Sequence, residues 1–373
     1  MVGRNRGVDY SPTRASERAR ELLREAVRGE KADFLLLGGL DSSCLAALER
    51  KIPAITVGMQ GMGEQLDLHY AKLTHKHLKM DWRPIIITKQ DGIDNLRLVI
   101  RATRTYDTAL LNDVALYIAV NRIIDLLGTR HITVRSGEPA DTLFRGYNGT
   151  YFLEKSELNS GIDNSVERLM PLALLERSMG IKVDYPYMNT EVKAFAKTLE
   201  AEENVVARMI PGGIWDTHPD NVRNRRSGPW YPFGKMTLRR AFHNDLPSQV
   251  ISRRKAEIQF GSGTDILRRE YLPRTVDYKE VMELKADSGE GEMYFRDRAH
   301  VAMYKIYRDE GFKPRAPLAG ETKCDWCHGG IPPKPDGTKG THCYTCGWDD
   351  ADRSNDESWI DVFRIAKPTK TNK

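Results

Sequence analysis

The sequence predicts an α/β protein: a doubly wound parallel sheet, followed by a mostly helical C-terminal half and a small cysteine module. Three observations predict it. Short apolar runs alternate with helically spaced segments through the first third of the chain, which is the pattern of successive βαβ units. One apolar run, Phe34 to Leu37, breaks into Gly38 and Gly39 and passes at once into Asp41, Ser42 and Ser43, a strand–turn–helix signature. Four of the five cysteines stand as two CxxC pairs near the end.

In chain order, residues 11–28 read as a surface helix, with Ala15, Ala19, Leu22, Leu23, Ala26 and Val27 on one face and Gly29 to end it. The run 34–37 is the first strand, and side-chain acceptors at Asp41, Ser42 and Ser43 are placed to cap the helix that follows. Residues 54–58 give a second strand. Leu66, Tyr70, Leu73 and His77 carry helical spacing, and 84–87 is a third strand. Helices over 91–105 and 111–127 precede a fourth strand at 131–134, which runs into RSGEPADTLFRGY. Beyond it the chain reads as mostly helical, with loops at 156–165, 211–234 and 284–292. Pro314, Pro317 and Gly320 mark a linker, and the acidic run around Asp349–Glu357 with the PTKTNK tail reads as a solvated end.

Composition narrows the class. A hydrophobic content of 40% with 29% charged residues describes a globular protein with a proper core. No run of eighteen apolar residues occurs, so no membrane span is expected, and the N-terminus lacks the apolar core of a secretory signal. Cys44 stands alone, which fits a reducing, cytoplasmic setting rather than a disulfide framework. A net charge of +5 is compatible with nucleotide, nucleic-acid or acidic partners. Between Arg223 and Lys255 there are nine Lys/Arg and one acid, Asp245, a surface suited to phosphate or to nucleic acid.

A strand, a glycine turn and a helix N-terminus together aim unpaired amides and the helix dipole at one point, making an anion cradle. No Gly-Lys-Ser/Thr follows, so this is not a Walker loop. Gly38–Gly39 and Gly137 both lie at C-terminal strand ends, where parallel sheets bind ligands. Independently, Cys324 and Cys327, then Cys343 and Cys346 after fifteen intervening residues, have the spacing of a four-thiolate zinc ribbon. The adjoining His328 and His342 are bystanders on this reading, since four sulfurs complete the shell; the alternative is a two-disulfide module.

Seven stretches occur in an order that resembles the synthetase domain of asparagine synthetase, in the PP-loop (N-type ATP pyrophosphatase) superfamily: LLGGLDSS, AITVGMQG, TYD at Thr105–Asp107, RSGEPADTLFRGY, SMGIKVDYPYMN, LRRAFHNDLPSQVISRRKAEIQFGSG and EMYFRDRAHVAMYKIYRDEGF. The resemblance covers about residues 31–314 and implies an adenine nucleotide α-hydrolase-like sheet. Together with the composition change at Pro314–Gly320 and the cysteine spacing, it divides the chain into an N-terminal helix (1–30), the synthetase-like domain (31–314), a linker (315–323), the zinc ribbon (324–350) and a tail (351–373). It further implies an ATP-dependent ligase, forming AMP and pyrophosphate, that adenylates a small-molecule carboxylate (or a carbonyl) and transfers it to ammonia or another amine. By resemblance, Gly38, Gly39, Asp41, Ser42 and Ser43 hold pyrophosphate. Asp41 and Asp141 hold Mg²⁺, and Leu35, Val57, Ser136 and Gly137 contact the nucleotide. Lys255 matches the catalytic lysine, and Glu138 is placed to handle the proton of the amine.

The chain departs from the family pattern at Leu37 (serine in the family), Pro139 (glycine), Thr142 (glutamate), Arg145 (glycine) and Asn189 (aspartate). The last three lie on the acceptor side of the implied pocket, which points away from aspartate as substrate. Residue 2 is Val, where glutamine-dependent members carry a nucleophilic cysteine, so ammonia is expected free or from a separate glutaminase subunit. Each residue alone also has a structural reading: Asp141 as a helix cap, Glu138 as a solvated loop acid, Lys255 as part of a basic surface run. Two further readings stay open. One is a PP-loop enzyme that amidates or otherwise modifies a nucleobase of tRNA, DNA or a deazaguanine precursor. The other is a catalytically silent nucleotide- or nucleic-acid-binding protein, with the ribbon and the 223–255 stretch as its contact surface.

Overall fold

A computed structural model describes residues 8–61, 66–147, 150–151, 153–165, 176–209, 230–256, 258–286, 293–333 and 337–349. Five strands form one sheet in the order β3-β2-β1-β4-β5: β1 (Phe34–Leu36), β2 (Ala54–Met59), β3 (Trp82–Ile87), β4 (Thr133–Arg135) and β5 (Lys182–Asp184). β1 pairs in parallel with β2 on one side and with β4 on the other, and β4 pairs in parallel with β5. The chain leaves β1 towards β2 on one side and returns to its other side as β4, so the strand order reverses between β1 and β4. Such a reversal opens a crevice at the C-terminal strand ends.

The helices α1 (Arg14–Gly29), α2 (Leu40–Leu48), α3 (Leu66–Leu78), α4 (Lys89–Thr103) and α5 (Leu110–Leu127) fall where the periodicity placed them. α1 is closed at its start by a capping box between Thr13 and Ser16, and it buries Ala19, Leu22, Leu23, Ala26 and Val27. Its end is tied to the sheet by Arg135, which is fully buried and gives its donors to Asp184 (2.6 Å), Glu49 and the carbonyls of Val27 (3.0 Å) and Glu30 (2.6 Å). A buried guanidinium is tolerable only when its donors are matched in this way.

Five points depart from expectation. The 156–165 segment is not a loop but the helix α7 (Lys155–Ser165), following the short α6 (Ala140–Leu143); Leu158 and Ile162, one turn apart, are its buried anchors in an otherwise polar sequence. The loop expected at 211–234 closes in a strand: β6 (Val206–Met209) pairs antiparallel with β7 (Trp230–Phe233), while 210–229 lies outside the described residues. β5 was not anticipated, because three residues with charges at both ends carry no readable alternation. Finally, α2 begins at Leu40 with Gly39 as N-cap and no capping side chain; the hydroxyls of Ser42 and Ser43 donate to the Gly39 carbonyl instead (3.2 and 2.8 Å). The loop expected at 284–292 is helical through Lys285, and 287–292 and the 351–373 tail lie outside the described residues.

Two compact units are present: residues 1–86 with 119–262, and residues 87–118 with 263–373. The first holds the sheet's crevice. The second is centred on buried aromatic residues, with Tyr106 in ring contact with Phe295, Tyr304 and Tyr307. Residues 315–323 fold against the cysteine module: Gly330 donates to the Arg315 carbonyl (2.9 Å), Arg315 pairs with Glu321 (2.6 Å), and β8 (Thr322–Lys323) pairs with β9 (Gly330–Ile331).

Candidate active site and metal centre

The loops after β1 and β4 meet at the reversal of strand order. A Cβ on Gly137 would lie 2.8 Å from the Ser42 amide, so only glycine lets the two loops approach this closely. Leu35 and Val57 are buried in their strands, so what they offer a ligand at this end is backbone. In the first loop the Ser42 hydroxyl accepts from the Gly38 amide (3.0 Å), the Ser43 hydroxyl lies 3.0 Å from the Thr74 hydroxyl, and the Asp41 carbonyl accepts from Tyr187 (3.1 Å). In the second, the Ser136 hydroxyl accepts from the Glu138 amide (3.2 Å). No side chain caps the first turn of α2 beside this meeting point. A helix end left in that state favours an anion.

Five charged side chains converge there. Lys255 Nζ lies 2.6 Å from one Asp141 oxygen and over the Tyr147 ring. Lys235 Nζ lies 2.6 Å from the other Asp141 oxygen and 2.6 Å from Asp41. Glu138 completes the cluster, and among the described residues its buried Oε2 has no hydrogen-bond partner. Burial therefore pushes Glu138 from its ordinary 4.5 up to about 8, an effect opposed by Lys255 and reinforced by Asp141. Burial also pushes Asp141 upward, but Lys235 and Lys255 outweigh it and hold that carboxyl well below the usual range. Asp41 goes the other way, raised by burial against the pull of Lys235. Lys255 is raised: burial acts against its charge, and Asp141 more than compensates.

The structure thus brings Gly38, Gly39, Asp41, Ser42, Ser43, Ser136, Gly137, Glu138, Asp141 and Lys255 to one place. Among the described residues, Asp41 Oδ1 and Asp141 Oδ1 are buried and make no hydrogen bond, Lys235 lying at ion-pair distance from the latter. A partnerless Asp41 oxygen and an Asp141 oxygen met only by the Lys235 ammonium are the donor type that Mg²⁺ prefers, so the pair fits that ion. Of the departures from the family pattern, Arg145 is buried and donates to the carbonyls of Thr150 (2.8 Å) and Leu153 (2.7 Å), and Asn189 caps a helix through the Glu191 amide (3.0 Å). Both have local structural work.

Sequence reasoning missed four residues. Lys235 stood in the basic 223–255 stretch with nothing to single it out. Arg239 is buried and links that segment to the Lys255 segment, donating to the carbonyls of Gly234 (2.8 Å) and Ile251 while its guanidinium lies 3.6 Å over Phe233. Burial lowers it to about 10. Arg253 donates to the Gly38 carbonyl (2.6 Å), pairs with Asp67, and stacks over Tyr70. Only the charge imbalance of 223–255 hinted at these cations, and nothing pointed to Asp67.

The second centre is the cysteine cluster. The sulfurs of Cys324, Cys327, Cys343 and Cys346 are buried and lie within 4.8 Å of one another; Cys324–Cys346 and Cys327–Cys343 are each 3.6 Å apart. A tetrahedral zinc with bonds near 2.3 Å spaces its sulfurs about 3.8 Å apart, so the set fits Zn²⁺. None of the four is in a disulfide. The amides of Trp326 and Gly329 donate to Cys324 and Cys327 sulfur (3.4 Å each), the support expected of a knuckle. The knuckle carbonyls are also taken: Trp326 O accepts from Tyr294 (3.1 Å), and Thr345 O accepts from the Tyr106 amide (2.9 Å) and the Thr105 hydroxyl (3.0 Å). The TYD motif therefore sits on the second knuckle. Neither His328 nor His342 belongs to the four-ligand group.

Fold and site together define a parallel α/β protein with a glycine turn into an uncapped helix start at the reversal point of its sheet. The asparagine synthase family model matches residues 18–208, half of the chain, and the chain belongs to that family. Among curated relatives, it is 27% identical over 252 residues to an asparagine synthetase [glutamine-hydrolyzing] of Triphysaria versicolor, an alignment covering 61% of this chain and 39% of the relative. It is 25% identical over 252 residues to asparagine synthetase B of Escherichia coli K12, covering 61% of this chain and 41% of the relative. The chain thus spans about two-fifths of the length of these relatives. Solved structures with some likeness include an NMN synthetase from Francisella tularensis (TM-score 0.34, 14% identity, 83% of this chain and 99% of that one). Another is a predicted subunit of tRNA methyltransferase from Methanocaldococcus jannaschii (TM-score 0.25, 20% identity, 48% and 78%).

Proposed function

We propose that this protein is an ATP-dependent, AMP- and pyrophosphate-forming carbon–nitrogen ligase. On this reading a substrate carboxylate oxygen attacks the α-phosphorus of ATP, the bond to the β-phosphate oxygen breaks, and pyrophosphate leaves. Ammonia or another amine then attacks the acyl carbon, AMP departs, and one proton is released. The observation that carries the reading is the convergence of Asp41, Glu138, Asp141, Lys235 and Lys255 beside the uncapped start of α2.

Each group has work that suits its setting. The first-turn amides of α2 and the two ammonium groups bind and neutralise the triphosphate as negative charge shifts to the leaving pyrophosphate. Asp41 and Asp141 would hold Mg²⁺, which supplies further charge neutralisation on the phosphates when bound. Glu138, with its carboxyl raised to about 8, holds a proton in most molecules at neutral pH; the ionised fraction, a stronger base than an ordinary carboxylate, takes the proton of the amine. Arg145 and Asn189 are engaged locally, so the acceptor is taken to differ from aspartate.

Incubation of the protein with Mg·ATP, ammonium and a metabolite extract, with Lys255→Ala as control, tests this. AMP and pyrophosphate formed by the wild type, reduced 10²-fold or more in the variant, support it at the magnitude of a lost transition-state contact. ADP and phosphate would overturn it.

A further inference from the structure

We propose that Lys235 is the competitor of the divalent cation for the place between Asp41 and Asp141, so that metal binds there only by displacing the Lys235 ammonium. The inference rests on the reading of those two carboxylates as metal ligands. Lys235 Nζ lies 2.6 Å from Asp41 and 2.6 Å from Asp141, midway in the bridging position that a shared cation takes. A magnesium ion reaches carboxylate oxygen at about 2.0–2.1 Å. Placed between the same two groups, it would fall on or against the ammonium, and two cations do not share one such place.

The surroundings show that the lysine is built into this position. Its side chain is 4% exposed, and its backbone holds a left-handed φ of 59°, a conformation that costs a non-glycine residue stability. Its amide donates to the Phe144 carbonyl (3.1 Å), and Arg239 holds the Gly234 carbonyl just before it. Gly146 clears the path: a Cβ there would lie 2.2 Å from Lys235 Cε and 2.1 Å from Asp141 Oδ1. Lys255 already takes the second Asp141 oxygen, so Lys235 is not needed merely to neutralise that carboxylate. What Lys235 adds is a bridge to Asp41, across the gap a metal would span. The consequence is ordered binding. The protein alone takes up divalent cation poorly, and the displaced ammonium becomes available to the phosphates that arrive with the metal.

The test is Mn²⁺ titration followed by EPR at pH 8 in the absence of nucleotide, on wild type, Lys235→Met, Lys235→Gln, and Lys235→Met combined with Asp141→Asn. Circular dichroism confirms folding, and two replacements at Lys235 guard against one that misfolds. The expected result is at least tenfold tighter Mn²⁺ binding in both single variants, with the gain lost in the double variant. Unchanged affinity in the single variants, or a gain that survives Asp141→Asn, would overturn the proposal. Titration with a non-hydrolysable ATP analogue separates the underlying reading: if Asp141→Asn alone leaves Mn²⁺·nucleotide binding intact, the carboxylates are not the metal ligands.

Discussion

Glu138→Gln isolates the proton that burial places on Glu138. In the folded protein this carboxyl is raised from 4.5 to about 8, so between those values the folded state binds more protons than the unfolded chain. Stability linked to this group is therefore fully present below about pH 4.5 and is lost as pH rises through about 8. Each pH unit in that window is worth roughly 1.4 kcal/mol, so an upper bound between pH 5 and pH 8 is about 4 kcal/mol. Partial access of solvent to the loop reduces this to about 2 kcal/mol. Glutamine keeps the shape and removes the titration. Urea unfolding at pH 5, 6.5 and 8 should show wild type losing about 2 kcal/mol more than Glu138→Gln across the series. Parallel curves for the two proteins would refute the reasoning, since they would mean that Glu138 titrates alike in both states.

Two further outcomes follow from contacts that join distant segments. Stripping zinc with a chelator, or Cys346→Ser, should lower Tm and raise hydrogen exchange at the Tyr106 and Tyr294 amides, because both donate to knuckle carbonyls; unchanged protection there would mean the ribbon does not hold them. Arg239→Lys, which keeps the charge but loses the planar fork, should reduce kcat of the adenylation step about tenfold or more with little change in KM for ATP, as measured by pyrophosphate exchange; a loss confined to KM would assign Arg239 to binding rather than positioning.

Much of the fold was legible because it repeats locally. Apolar runs at 34–37, 54–58 and 84–87 and the helical spacing around Leu66, Tyr70 and Leu73 each declare themselves within one element. β5 and α7 did not. The first is three residues of a sheet edge, and the second shows only Leu158 and Ile162 among polar neighbours, too little apolar signal for a period to emerge. The capping role expected of Asp41, Ser42 and Ser43 failed for a related reason. Those residue types favour caps, but the register put Gly39 at the cap and turned both serine hydroxyls back to its carbonyl.

By itself the sequence determined the alternation of strands and helices, the glycine turn into α2, the acidic pair at Glu138 and Asp141, and the four-sulfur cluster. These are features whose chemistry is complete within a few residues or a fixed spacing. Only the tertiary structure decided that Lys235 bridges Asp41 and Asp141, that Arg253 and Asp67 hold the Gly38 turn, and that Thr105 and Tyr106 rest on the Thr345 carbonyl. The physical reason is the same in each case. A lone charge or hydroxyl acquires its role from a partner some ninety or more residues away, and such a pairing leaves no periodicity, spacing or composition for the linear chain to display.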